Sequence, residues 1–275
     1  ALKRRLLAGE FGALRGATLG ARWPRPAGYF TRNDWAGRLI GVDGRVILDS
    51  CCGNAMAHFV HNLLFWAGGP DLFSWTNLSA LRAELYRAHR IEGADTFFIE
   101  ADTPSGATLR IALTHACAGA SSHEETVACE RATVRYVVGR HAEVRWCDGR
   151  VEQIPLTEFD PLQENYLKYF RYLRGESRRP ATTLADCRPF VAHNNLAHVS
   201  SETIAPFPAT AVSALRDEKD QQDYVDIAGM VRAQENFLQR GTWPSTEWSR
   251  PAGQVVTSGD LARFHEVVHR MAGTR

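Results

Sequence analysis

The chain has 275 residues, 44% hydrophobic and 23% charged, a balance that excludes disordered and fibrous classes. Lys and Arg number 32 against 31 Asp and Glu, so the formal charge is +1, which argues against a general binder of nucleic acid or anionic membrane. No run of about 18 apolar residues occurs, so no transmembrane helix is expected.

The chain opens on a helical scrap, 1–9, in which Leu2/Leu6 and Lys3/Leu7 are i,i+4 pairs and Gly9 is the stop. It reads as the last turns of a helix that began upstream. The apolar stretch after Lys3-Arg4-Arg5 is too short for a signal peptide. Residues 14–23 read as a strand weakened by two glycines. A long Pro/Gly/aromatic loop follows over 24–45, and loops of this length inside a domain are usually functional. Residues 46–48 read as a short strand or turn. The clearest helix is 54–67, where Met56, Phe59, Val60, Leu63, Leu64 and Ala67 repeat at helical spacing before Gly68-Gly69-Pro70 ends it.

Strands are then expected at 81–86, 96–100, 108–114, 127–138 (as one strand), 142–146 and 151–154, the last following the Asp148-Gly149 turn signal. Short turns between successive strands predict an antiparallel sheet. Helices follow at 162–173 and, from the Thr183-x-x-Asp186 capping box, to about 198, with Pro189 expected to delay or kink the second. An amphipathic segment over 223–239 and a last helix over 260–271 complete the pattern. No G-x-G-x-x-G or G-x-x-x-x-G-K-[ST] is present, so no known phosphate-cradling loop is expected.

Cys51, Cys52, Cys117, Cys129, Cys147 and Cys187 form no C-x-x-C pair and no zinc-finger framework. Six cysteines in a chain this long predict reduced thiols and a cytoplasmic protein. A metal site joining His58, His61, Cys51 and Cys52 is disfavoured, because adjacent cysteines chelate one ion poorly. A cysteine nucleophile paired with His58 lacks a third, orienting group.

On the 54–67 helix, Asn54, His58 and His61 lie opposite the apolar stripe, and Asn54 and His58 are i,i+4 neighbours. A histidine at a helix start has its cation disfavoured, which suits a proton acceptor near neutral pH. The bland alternative makes Asn54 an N-cap and His58 a surface or core histidine. Tyr29, Arg32, Asn33 and Trp35 form a polar-aromatic cluster of the kind that grips a polyol; the alternative is a loop packed on its domain. His58 is expected to face a concave surface bordered by the loop carrying Arg32 and Trp35. His193-Asn194-Asn195 and His198 are further candidates to line a site, or else a solvated helix face.

Tyr29-Phe30-Thr31-Arg32-Asn33-Asp34-Trp35-Ala36-Gly37, then Val46-Ile47-Leu48-Asp49-Ser50 and Asn54-Ala55-Met56-Ala57-His58, resemble the Gfo/Idh/MocA oxidoreductases. The likeness continues through Ala83 to Ala88, Thr114-His115-Ala116, Glu164 to Phe170, Arg188-Pro189-Phe190-Val191 and Ser200-Ser201-Glu202, and covers about residues 1–205. It implies an α+β domain: an open, mostly antiparallel sheet with helices packed on one face. It implies that 1–9 end a linking helix from an N-terminal Rossmann domain, and that 10–275 are the C-terminal substrate and oligomerisation domain. The function implied is the substrate half of an NAD(P)-dependent oxidoreductase of a sugar, inositol or similar polyol. His58 and Asn54 would be catalytic, and Tyr29, Arg32, Asn33 and Trp35 would hold the substrate. The NAD or NADP would be bound by the other domain, leaving this chain alone without cofactor and inactive. The expected partners are that domain and a second copy across the sheet face, with no nucleic acid or membrane. The family's Glu-Lys-Pro segment, whose lysine partners the histidine, is absent. The rival is a non-catalytic polyol-binding or scaffolding domain of the same fold.

Overall fold

The fold is that of a computed structural model, which describes residues 2–138, 141–156, 158 and 160–273. Its strands are β1 (Leu14–Arg22), β2 (Ala80–Arg87), β3 (Thr96–Asp102), β4 (Thr108–Thr114), β5 (Ser122–Cys129), β6 (Ala132–Val137), β7 (His141–Trp146), β8 (Val151–Ile154), β9 (Ile204–Pro206), β10 (Val212–Arg216) and β11 (Asp223–Ile227). The helices are α1 (Leu2–Leu7), α2 (Ala57–Ala67), α3 (Pro161–Leu173), α4 (Leu184–Ser201), α5 (Met230–Arg240) and α6 (Phe264–Gly273).

Nine strands form one sheet in the order β8-β7-β6-β5-β1-β4-β3-β2-β9, and β10 and β11 form a small ribbon. The class is α+β and the sheet is mostly antiparallel, as expected. The exceptions are β1 beside β4 and β2 beside β9, both parallel. Alternation decides what each face buries. Leu19, Leu85, Phe97, Ile99, Ile111 and Leu113 point to one face, where Leu63 and Leu64 of α2, Leu196 and Val199 of α4 and Val268 of α6 close the main core. On the other face Tyr86, Phe98 and Ala112 meet Met230, Ala233 and Phe237 of α5, with Phe207 and Trp248. Most helices therefore share one face, and α5 covers part of the second. Over β1, β5 and β6 the second face stays open as a groove of ≈ 740 Å³.

Several expected boundaries move, each for a local reason. The strand expected over 127–138 is a hairpin. Val127 and Cys129 are buried, but the next buried residues are Ala132 and Val134, a change of parity that one strand cannot make. Glu130 and Arg131 make that turn, their N–H groups donating to Ala13 and Phe11. The segment over 223–239 divides into β11 and α5 at Gly229, whose φ of +83° favours glycine. Residues 46–48 form no strand, only a bridge between Ile40 and Val46. The Thr183–Asp186 capping box closes in both directions, and α4 runs on through Pro189. The last helix starts at Phe264, after a 3₁₀ segment over Ser258–Arg263. Of the scrap over 1–9, Leu2–Leu7 is helical, and Ala1 lies outside the described residues. The buried Lys3 ammonium bonds the carbonyls of Phe65, Trp66 and Gly68 at the C-terminal end of α2.

Candidate functional site

β1, β2 and β4 run in the same direction, so their C-terminal ends meet at one end of the sheet together with the starts of β3 and β5. The candidate residues collect there. The chain leaves β1 at Trp23, whose N–H still donates to Thr114 (3.0 Å). It then turns through a 3₁₀ segment, Ala27–Thr31. The Asn33 side-chain oxygen accepts the N–H groups of Trp35 (3.2 Å) and Ala36 (2.8 Å), an Asx turn that fixes the loop tip. Arg32 lies 3.6 Å from the Tyr29 ring centre and 5.0 Å from that of Trp35, and its Nη1 donates to the Tyr29 carbonyl. Tyr29, Arg32 and Trp35 thus form one stack, with Trp35 exposed.

The loop is pinned to the next segment by one carboxylate. Asp49 Oδ2 accepts the Gly37 N–H (2.6 Å), and Oδ1 accepts Asn54 Nδ2 (2.6 Å). Asn54 therefore does not cap the helix. Ser50 Oγ accepts the Gly53 N–H (2.8 Å) at the head of a π-turn over Cys51–Ala55, and α2 starts only at Ala57. Asn54 Oδ1 takes no partner among the described residues and the side chain is exposed.

His58 sits in the first turn of α2 and is exposed. Its ring lies 4.1 Å from that of Phe59 and 6.3 Å from that of Trp23, centre to centre. Partial desolvation on that side, together with His123, holds its imidazole below the ordinary 6.5, while Glu125 pulls the other way. His123 and Glu125 come from β5. His123 Nε2 meets Glu125 Oε1 (2.9 Å), and Glu125 Oε2 accepts from Asn62 Nδ2 (2.6 Å) and Trp66 Nε1 (3.0 Å), both on α2. A buried carboxylate with three donors locks α2 onto β5 and so fixes the position of His58. His61 is placed differently from the sequence reading, with Nε2 on the Asp186 carbonyl (3.1 Å) and its ring stacked on Trp75.

Two further histidines stand at the same end of the sheet. His89, just past β2, bonds Asp95 through Nδ1 (2.8 Å) and the Arg25 carbonyl through Nε2 (3.1 Å). Burial raises the Asp95 pKa, but the His89 ring and the N–H groups of His89 and Ala88 outweigh it and hold the carboxyl below its usual range. His115, just past β4, donates to the Trp23 carbonyl (2.7 Å); burial pushes it down to about 4. The sequence reading did not nominate His89, His115 or His123. Their common signal is a histidine beside a strand end, which points to one place only once the strand order is known.

The loop borders a cavity of ≈ 510 Å³ whose lining includes Asn33, Arg38, Arg87, His89, Arg90 and Glu92, and His58 is not part of that lining. His193 and His198 do not line a site. Both are fully buried on α4, and burial holds each at about 4. The run at 193–198 reads as a polar face, but α4 is covered by the sheet and α6. Among the described residues no three His, Cys, Asp or Glu side chains converge as a metal cage. The described residues hold no βαβ dinucleotide-binding unit. No strand runs through a glycine-rich turn into a helix beside its parallel neighbour, because β1 and β4 are joined through a long loop, α2 and two more strands.

No family model matches the chain, and no curated protein matches it. Solved structures do. The WlbA dehydrogenase of Bordetella pertussis, in complex with NADH and UDP-GlcNAcA, is 22% identical with a TM-score of 0.56 over 73% of this chain and 56% of its own. Levoglucosan dehydrogenase, in complex with NADH, is 11% identical with a TM-score of 0.59 over 72% of this chain and 59% of its own. The UDP-N-acetylglucosamine 3-dehydrogenase GnnA of Acidithiobacillus ferrooxidans is 14% identical with a TM-score of 0.54 over 71% and 56%. The chain spans a little over half the length of each. It shares its fold with part of each of these three dehydrogenases.

Proposed function

We propose that this chain is the substrate domain of a Gfo/Idh/MocA-type NAD(P)-dependent oxidoreductase acting on a sugar or similar polyol. The observation that carries the reading is His58: exposed at a helix start, held by an α2–β5 lock, and kept neutral near pH 7 by desolvation and His123. The dehydrogenases of nucleotide sugars and of levoglucosan that share the fold support the substrate class.

The nicotinamide, held outside the described residues, would take the hydride; this chain's share is the proton. His58 accepts the proton of the substrate hydroxyl as the carbinol carbon is oxidised, a role that needs a neutral imidazole in reach of that oxygen. Asn54, its amide held by Asp49, offers Oδ1 to a neighbouring hydroxyl. Tyr29 and Trp35 supply ring faces for the apolar side of a sugar, with Arg32 and Asn33 beside them. The open part of the sheet face is where we place contact with a second copy.

The test is His58→Ala in the full-length protein, with sugars and both nicotinamide cofactors as substrates. A fall in kcat of about 100-fold or more with unchanged stability is expected. An unchanged kcat overturns the assignment. Sugar binding without turnover in the wild type supports the non-catalytic domain instead.

A further inference from the structure

The ≈ 510 Å³ cavity at this end of the sheet is lined by three arginines, Arg38, Arg87 and Arg90. Elsewhere the arginines of this chain commonly face carboxylates: Arg110–Glu100 at 2.6 Å, Arg135–Glu124 at 2.7 Å, Arg145–Glu143 at 2.7 Å. Among the described residues none of these three has a carboxylate partner. The one carboxylate in the lining, Glu92, is spent on backbone, its Oε2 accepting the N–H groups of Leu39 (3.0 Å) and Ile40 (3.4 Å).

The cavity is built rather than incidental. Arg87 is half-buried, and its Nη1 is held by the carbonyls of Ile91 (2.9 Å) and Glu92 (2.8 Å), which leaves Nε and Nη2 uncommitted. Arg38, also half-buried, follows Gly37, whose N–H is held by Asp49 and whose carbonyl accepts the N–H groups of Glu92 (3.0 Å) and Gly93 (2.7 Å). The two arginine-bearing segments are knitted so closely that a Cβ on Gly93 would stand 3.2 Å from the Gly37 carbonyl oxygen. Asn33, with its oxygen committed to the loop, has only its NH₂ left to give. His89 closes one wall, anchored by Asp95 and the Arg25 carbonyl.

Three guanidinium groups lining one cavity, whose single carboxylate is engaged by backbone N–H groups, repel one another, and an anion that bridges them relieves the repulsion and gains charge-assisted bonds. Arg is suited to this because its planar donors match a carboxylate or phosphate in pairs. The volume is that of a small-molecule site. We propose that this pocket binds an acidic group, carboxylate or phosphate, carried by the substrate. The proposal rests on the sugar reading above and narrows it to acidic sugars.

The experiment titrates this chain, as it stands, with D-glucose, D-glucuronate, glucose 6-phosphate and inorganic phosphate, following the arginine Nε–H resonances by NMR. Expected is binding of at least one sugar acid about tenfold tighter than glucose, with shifts at Arg38, Arg87 and Arg90. The double variant Arg38→Gln/Arg90→Gln should abolish that preference and leave the melting temperature unchanged. If that variant is destabilised, Arg90→Gln alone, at an exposed position, should weaken acid binding several-fold. The tighter of glucuronate and glucose 6-phosphate identifies the group. Glucose binding as tightly as the acids overturns the pocket and leaves the sugar reading standing. Binding of inorganic phosphate with nothing gained from either sugar acid supports the pocket and removes the sugar reading. No shift of these arginines with any acid at millimolar concentration overturns the proposal.

Discussion

Asp49 holds Asn54 Nδ2 and the Gly37 N–H with its two oxygens, at 2.6 Å each, and so ties the loop after β1 to the turn before α2. The carboxylate is buried, so its removal leaves two donors unanswered. Asp49→Ala should cost about 2–4 kcal/mol in urea unfolding. Asp49→Asn, which keeps one acceptor, should cost less. Equal stability of Asp49→Ala and wild type would show that the tie contributes nothing.

His58 reports the charges around it. Because Glu125 raises its pKa and His123 lowers it, Glu125→Gln should move the His58 titration to lower pH and His123→Gln to higher pH. NMR titration of the His58 Cε1–H in both variants checks this. Shifts in the same direction, or none, would break the link between the α2–β5 lock and the candidate base.

Acid stability depends on three other histidines. His115, His193 and His198 stand at about 4 in the folded chain against 6.5 when free, all lowered by burial. A lowered histidine leaves the unfolded chain binding more protons, so the stabilisation is present above about pH 6.5 and is lost as pH falls toward 4. Between pH 7 and 5 each should cost about 2 kcal/mol. Urea unfolding at the two pH values measures the sum. In His193, both ring nitrogens lack a partner among the described residues. His193→Leu should remove its share of the pH dependence and leave stability at pH 7 equal or higher.

Leu162, Tyr166, Tyr169, Phe170 and Leu173 stripe one side of α3, yet none of its residues is buried. Phe170→Glu and Tyr166→Glu should therefore change unfolding free energy by no more than about 0.5 kcal/mol. Phe237→Ala, in the core beneath α5, should cost about 3–5 kcal/mol. A large loss from Phe170→Glu would mean that α3 packs against something in solution.

What could be read from the chain follows from how local the signals are. The apolar stripe of α2 and the Thr183–Asp186 box are each complete within a few residues, and each stands where it was expected. The hairpin at Glu130 was visible too, in the slip of parity between Cys129 and Ala132, but a run of strand formers on both sides hid it. Asn54 read as a cap because Asn suits caps; that Ser50 caps instead depends on a π-turn that no spacing rule describes. His89 and His115 meet through the β2-β3-β4 hairpins, and His123 joins them only through β1, which pairs with both β4 and β5 and so links segments far apart in the chain.

That pairing has a consequence for how the molecule assembles. β2 to β4 can zip as consecutive hairpins, and so can β5 to β8, each closing short loops. β1 sits between the two halves, with Gly16 opposite Thr108 on one side and Ala128 on the other. The halves become one sheet only when the N-terminal strand slides into the gap between two ready-made edges. The entropy of that long closure falls due before any pairing offsets it, so insertion of β1 is expected to be the slow step of folding. Until it happens, the chain carries two unprotected strand edges, the state in which it is most prone to pair with another copy of itself.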